Sequence, residues 1–142
     1  MSKNEVTFRI PGRAGGKARP VVVRNKSTNK SHAFTPDPGN YFTKSVSIAS
    51  DIAVKVGWVM DDDPVSIDVT VHRKMPSSFS RKKKTALEGM PVGCTPDVIN
   101  TGAALCDAFE GIFYHNDKQV SSFNIERYYA DYDGTVVTIK RP

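Results

Sequence analysis

Cysteine is scarce, long apolar runs are missing and nothing repeats, and each absence removes a class of protein. The two cysteines, Cys94 and Cys106, lie outside any CxxC pair, and His32, His72 and His115 are scattered. That spacing makes neither a disulfide framework nor a zinc site. Both thiols are therefore expected buried or half-buried, and no redox chemistry is indicated. No apolar stretch approaches the ~20 residues that a membrane span requires. The opening residues, MSKNEVTFRI, lack the apolar core of a signal peptide, which predicts a cytoplasmic protein. No segment is of low complexity. Acidic charge is also short: 20 Lys and Arg face 15 Asp and Glu, for a net charge of +5 and a pI near 9.3.

What remains fits one domain over residues 1–142, long enough to bury a core. The basic excess gathers in two places: Arg13 to Lys30, with six Lys or Arg, and the run Arg81, Lys82, Lys83, Lys84. Basic clusters contact phosphates without reading sequence, but they also form ordinary solvated surfaces. Charge alone admits both.

Glu5 to Ile10 alternates polar and apolar residues and predicts a strand, followed by a loop at PGRAGGKARP, residues 11 to 20. Val21 to Val23 and His32 to Thr35 predict two short strands around the polar turn NKSTNKS. Asp37-Pro38 is a helix start, and Phe42, Val46, Ala49, Ala53 and Val56 recur at helical spacing up to Gly57. Val65, Ile67, Val69 and Val71 alternate with polar residues in the clearest strand of the chain.

Ser80 is placed to cap a short basic helix, and Thr95 to Phe109 predicts the second main helix, with Gly111 at its end. Gln119 to Tyr129 and Thr135 to Lys140 predict two further strands joined as a hairpin through Asp133-Gly134. The class is α+β: a mixed or antiparallel sheet with two main helices on one face.

Carboxylates stand out in two stretches. In DDDP, Asp61 to Asp63 are adjacent, so their side chains diverge, and a solvated turn is expected. In TPDVINTGAALCDAFEGIFYHNDKQV, Asp97, Asp107 and Asp117 fall at ten-residue intervals. Chain entering a helix at Asp97 and leaving it near Asp117 can be brought side by side. Converging carboxylates suit Mg²⁺ and water activation against a phosphodiester. Asp97 after Pro96 equally suits a first-turn residue that complements the helix dipole.

This stretch resembles the signature of the RusA family of Holliday junction resolvases. In that family a Pro-Asp-x-Asp-Asn segment opens a helix ending in Asp-Ala-Leu, followed by a glycine, an acidic pair and Gln-Val. Pro96, Asp97, Asn100, Asp107, Ala108, Gly111, Asp117, Gln119 and Val120 fall on the pattern without a gap. The stretches Gly16 to Pro20 and Met75 to Lys84 resemble the family's basic loop and its serine-lysine segment, in the same order.

The resemblance implies a single RusA-like domain. It also implies a homodimeric endonuclease, often phage-encoded and so at work in a bacterial host's cytoplasm. Its substrates would be four-way and other branched DNA in recombination and repair, cut with Mg²⁺ or Mn²⁺. Asp97, Asp117 and Asn100 are then the catalytic residues, with Asp97 and Asp117 holding the metal. Lys17, Arg19, Arg24 and Arg81 to Lys84 are the DNA contacts. Ile99 stands where the family has its second aspartate, Ala103 where it has a helix lysine, Thr101 where it has a leucine, and Asn116 where it has the first acidic residue of the pair. Those departures leave a second expectation open: a relative that binds branched DNA without efficient cleavage.

Overall fold

A computed structural model describes residues 3–17, 21–34 and 36–142. In chain order the elements are β1 (Glu5–Pro11), β2 (Val21–Asn25), β3 (Lys30–Phe34), α1 (Tyr41–Val56), β4 (Val65–Lys74), α2 (Arg81–Leu87), α3 (Val98–Phe109), β5 (Val120–Ala130) and β6 (Gly134–Lys140). Short 3₁₀ turns at Pro38–Asn40 and Asp117–Gln119 precede α1 and β5. The predicted strand end at Thr35 lies outside the described residues.

Four strands form the main sheet in the order β1-β6-β4-β5. β6 runs antiparallel to both β1 and β4, whereas β4 and β5 are parallel. Strand side chains alternate between faces. The rows Val6-Phe8-Ile10, Val65-Ile67-Val69-Val71 and Val137-Ile139 thus form one buried apolar face. Each such side chain gains about 1.5–3 kcal/mol by leaving water. β2 and β3 form a separate antiparallel ribbon, exposed along its whole length.

The expected β5–β6 hairpin does not form: β4 lies between the two strands. Residues 131–133 instead bridge the end of β4. There the Lys74 N–H donates to Asp133 Oδ1 at 2.9 Å and the Met75 N–H to the Ala130 carbonyl at 3.0 Å. An Asp-Gly pair favours a chain reversal but does not choose the partner strand. β4 carries the longest buried row of β-branched residues and takes the middle, where both its edges are covered.

α1 and α3 pack together on the apolar face, as expected. α1 buries Ala49 and Ala53 and packs Val46 and Val56 partly against the core, as predicted, but its first turns bury Tyr41 and Ser45 instead of Phe42, which is left 41% exposed. The helix start is shifted too. Asn40 is the cap residue, and Asp37 reaches across the 3₁₀ turn to accept from the N–H groups of Phe42 (2.9 Å) and Thr43 (3.0 Å). Burial pushes the Asp37 carboxyl up, but these bonds, the Thr43 hydroxyl and Lys44 outweigh it and hold the pKa below the usual range. Gly57, left-handed at φ 72°, ends α1 as predicted.

α3 starts at Val98 rather than Thr95, because Asp97 serves as its cap. It lies close to β5: a Cβ on Gly102 would meet Phe123 at 2.8 Å. Phe8, Phe109, Phe113 and Trp58 close the core beneath, with edge or stacked contacts at centroid distances of 5.4–5.8 Å. No described helix is long and apolar enough to cross a membrane.

Candidate active site

The entry to α3 is built by its cap. Asp97 is extended (φ −67°, ψ 158°), and its Oδ1 accepts from the Asn100 N–H at 2.7 Å. Its other oxygen makes no further bond to described residues, and the side chain is exposed. The preceding Thr95-Pro96 peptide is cis.

A residue unmarked in the sequence holds this loop. Arg127 of β5, only 7% exposed, donates Nε to the Val92 carbonyl (3.2 Å), Nη2 to Cys94 (2.7 Å) and Nη1 to Pro96. Its partners among the described residues are three carbonyls and no carboxylate, so the guanidinium fixes the path of residues 92–96 and with it the position of Asp97. The signal was an arginine in the apolar phase of a strand, after Phe123 and Ile125.

The glycine-rich loop docks on the same helix end. A Cβ on Gly16 would lie 2.4 Å from Asn100 Nδ2 and 2.9 Å from Pro96 Cβ, so only glycine permits this approach. A Cβ on Gly15 would sit 3.2 Å from Tyr41 Cβ. Tyr41 is itself fixed by a 2.8 Å bond to Thr135, and burial pushes its pKa up to about 12. The Lys17 N–H then bonds the Asn100 carbonyl at 3.2 Å. Its ammonium reaches Asp107 Oδ2 at 2.9 Å, a contact that raises the Lys17 pKa. Asp107 is thus the carboxylate partner of a loop lysine.

Asp117 lies past the far end of α3, exposed, in the 3₁₀ turn capped by Asn116. Asp97 to Asp107 spans ten residues, about 15 Å along a helix. Asp117 belongs to the Asp107 end: its charge acts on Lys17 and Cys106. Burial, the larger influence, raises the Cys106 pKa; the Tyr114 hydroxyl partly offsets it, and Asp107 and Asp117 add to it. Lys17 is therefore the residue that touches both ends.

Gln119 explains its place in the motif. Its Nε2 donates to the carbonyls of Asp61 (2.7 Å) and Asp63 (3.0 Å), and its Oε1 accepts from the N–H groups of His115 and Asn116. The DDDP segment is a turn, as expected, held in part by Asp61 Oδ1 on the Asp63 N–H at 3.0 Å.

Among the described residues no three His, Cys, Asp or Glu side chains gather to hold a metal. Mg²⁺ is commonly bound through one or two carboxylates, waters and substrate phosphate. The donors present fit that mode: a hydrated ion held by one exposed carboxylate such as Asp97 together with the substrate.

The other predicted DNA contacts are spread out. Arg24 lies on β2 and donates to Asn29 Oδ1; Arg19 lies outside the described residues. On α2, Arg81, Lys82 and Lys83 are exposed and Lys84 is half-buried. Lys83 Nζ sits 4.0 Å above the Phe79 ring, which meets Tyr129 edge-on at 6.2 Å. Phe79 is thus a packing residue between α2 and β5. Ile99 is 80% exposed on α3, with Ala103 exposed one turn on.

Two comparisons bear on this arrangement. The sequence model of the family described as Endodeoxyribonuclease RusA matches residues 11–140. The Uncharacterized protein YqaN of Bacillus subtilis (strain 168) is 30% identical over 140 residues, covering 95% of each chain.

Proposed function

The chain belongs to the RusA endodeoxyribonuclease family, and from that premise we propose that it resolves Holliday junctions as a homodimer, hydrolysing phosphodiesters with Mg²⁺ or Mn²⁺. One observation carries the reading: the docking of the glycine-rich basic loop on the α3 entry. Gly16 against Asn100 and the Lys17 N–H on the Asn100 carbonyl seat the basic loop on the helix end that Asp97 caps, with the Lys17 ammonium turned along α3 to Asp107.

When bound, the divalent ion supplies Lewis-acid activation of water and offsets charge at the scissile phosphate. Asp97 offers its uncommitted oxygen to that ion, and the Asn100 side chain orients the groups around it. Asp117 is the second carboxylate of the reaction, entering from the far end of α3. Lys17, Arg19, Arg24 and Arg81 to Lys84 hold backbone phosphates, which position the duplex arms without reading bases. A two-fold dimer presents two such sites to a junction of approximate two-fold symmetry.

A specific observation favours a second reading, junction binding without efficient cleavage. Ile99 and Ala103 face solvent, where a carboxylate and an ammonium would reach substrate, and an exposed isoleucine adds nothing to the core.

A synthetic four-way junction, incubated with the protein and Mg²⁺ or Mn²⁺ and scored separately for binding and cleavage, decides between them. Paired symmetric nicks that disappear in Asp97→Asn and in Asp117→Asn establish the enzyme. Binding without nicks, with cleavage gained in Ile99→Asp plus Ala103→Lys, establishes the second reading. Equal affinity for junction and linear duplex removes both.

A further inference from the structure

The four buried residues of the β4 row, Val65, Ile67, Val69 and Val71, share a face with a fifth residue, Arg73. Where the apolar row would continue, the strand places a half-buried guanidinium. Arg73 makes no hydrogen bond or ion pair with any described residue. By contrast Arg127, on the neighbouring strand, spends its donors on three carbonyls.

Arg73 looks into two adjoining cavities. One, of about 470 Å³, is walled by Arg13, Gly16, Lys17 and Asn100 together with Arg73. The other, of about 380 Å³, is walled by Lys74, Ser77, Ser78 and Tyr129, with Arg13 and Arg73 again on its border. Among the described residues, no carboxylate lines either cavity. Two of the cations are held by acids from outside: Arg13 by Asp133 at 3.4 Å and Lys17 by Asp107 at 2.9 Å. Asp133 also accepts from the Lys74 N–H, so the loop that bridges the end of β4 sets the Arg13 side of the groove.

We propose that these joined cavities are the seat of one sugar–phosphate strand, with Arg73 as the fixed phosphate ligand at its middle. This rests on the junction-binding reading above and adds the path of the strand to it. A guanidinium fork matches two phosphate oxygens at once, which suits a site that holds register rather than merely attracts charge. Arg13, on the rim, contributes a second phosphate contact. Ser77 and Ser78 offer hydroxyls. The groove continues from the Pro96-Asn100 wall beside Asp97, so a strand lying in it runs past the proposed active site. Two cavities of about 470 and 380 Å³ that share Arg13 and Arg73 leave room for more than one phosphate, which favours a strand over a single free phosphate.

The test measures junction affinity against salt for the wild type and for Arg73→Gln, Arg73→Lys and Arg13→Gln. Arg73→Gln is expected to weaken binding at least tenfold and to flatten the log–log salt slope by about 1. Arg73→Lys should keep the slope and lose several-fold in affinity. Unchanged thermal midpoints show that the fold is intact. A readout on the wild type needs no variant: phenylglyoxal labelling of Arg73, followed by mass spectrometry, should be blocked by micromolar junction. If Arg73→Gln binds like the wild type, or Arg73 stays reactive under saturating junction, the groove assignment falls while the family function stands. Equal protection by micromolar inorganic phosphate makes the site a free-anion pocket and overturns the strand path. A wild type that binds no DNA removes the parent reading and this one together.

Discussion

Thr101 lies one turn into α3, only 1% exposed, and its hydroxyl finds no hydrogen-bond partner among the described residues. Its own N–H bonds the Asp97 carbonyl at 3.1 Å, so the helix is intact around it. A buried, unpaired hydroxyl costs about 1–3 kcal/mol, and valine has nearly the same shape without that group. Thr101→Val is therefore expected to raise stability by about 1 kcal/mol, since the two residues have similar helix propensity. A thermal midpoint a few degrees higher, with junction binding unchanged, is the expected result; a lower midpoint would mean that the hydroxyl is paired. At this scale the sequence was readable where a residue's chemistry needs only its chain neighbours. Asp97 as a possible helix-entry residue, Ser80 as a cap and Gly57 as a terminator were of that kind. Arg127 and Arg73 showed only as arginines in the apolar phase of a strand. What each one faces depends on which loops and strands pack beside it, the 92–96 loop for Arg127 and the 13–17 loop for Arg73, and neither composition nor spacing carries that information.

At the scale of elements, α2 presents a charge arrangement that works against its own folding. Ser80 caps it through the Lys83 N–H at 3.1 Å, yet its first turn holds Arg81, Lys82 and Lys83 and no acidic residue. Helix N-termini favour negative charge, by about 0.3–1 kcal/mol per group at exposed positions. The free protein thus bears a local cost that bound phosphates would relieve. Lys82→Glu should raise the thermal stability of the free protein by a few tenths of a kcal/mol and weaken junction binding several-fold. Opposite signs in calorimetry and in the binding assay are the diagnostic result. Higher stability with unchanged affinity would place α2 off the DNA. Elements were also where the pattern misled. Alternation and the Asp-Gly pair located β5, β6 and the turn between them, but pairing is decided by burial across the whole sheet. β4 won the centre because its four core residues are 2% exposed or less, whereas Phe123 and Ile125 of β5 are only partly buried.

For the molecule as a whole, the main sheet and its two long helices account for one core, and the β2–β3 ribbon stands outside it. Its strands pack chiefly on each other, with Val22 70% exposed, Phe34 47% and Val21 42%. A lone two-stranded ribbon is marginal in water and gains independent stability only from a third strand or a packed layer. In the proposed homodimer, the matching ribbon of the second copy supplies that layer, because a two-fold interface buries the same patch on both chains. Val21 and Phe34 are cross-strand partners on one ribbon face, so Val21→Ser with Phe34→Ser removes apolar surface from that face alone. The wild type should sediment as two chains at micromolar concentration and the double variant as one, with the main thermal transition unchanged because neither residue touches the core cluster. In the cleavage assay, paired symmetric nicks should give way to independent single nicks, since each monomer then meets the junction by itself. A wild type that sediments as one chain at every concentration refutes the homodimer. A double variant that still pairs moves the interface off the ribbon, to the exposed polar face of the sheet or to the part of the β5 edge that residues 89–92 leave open.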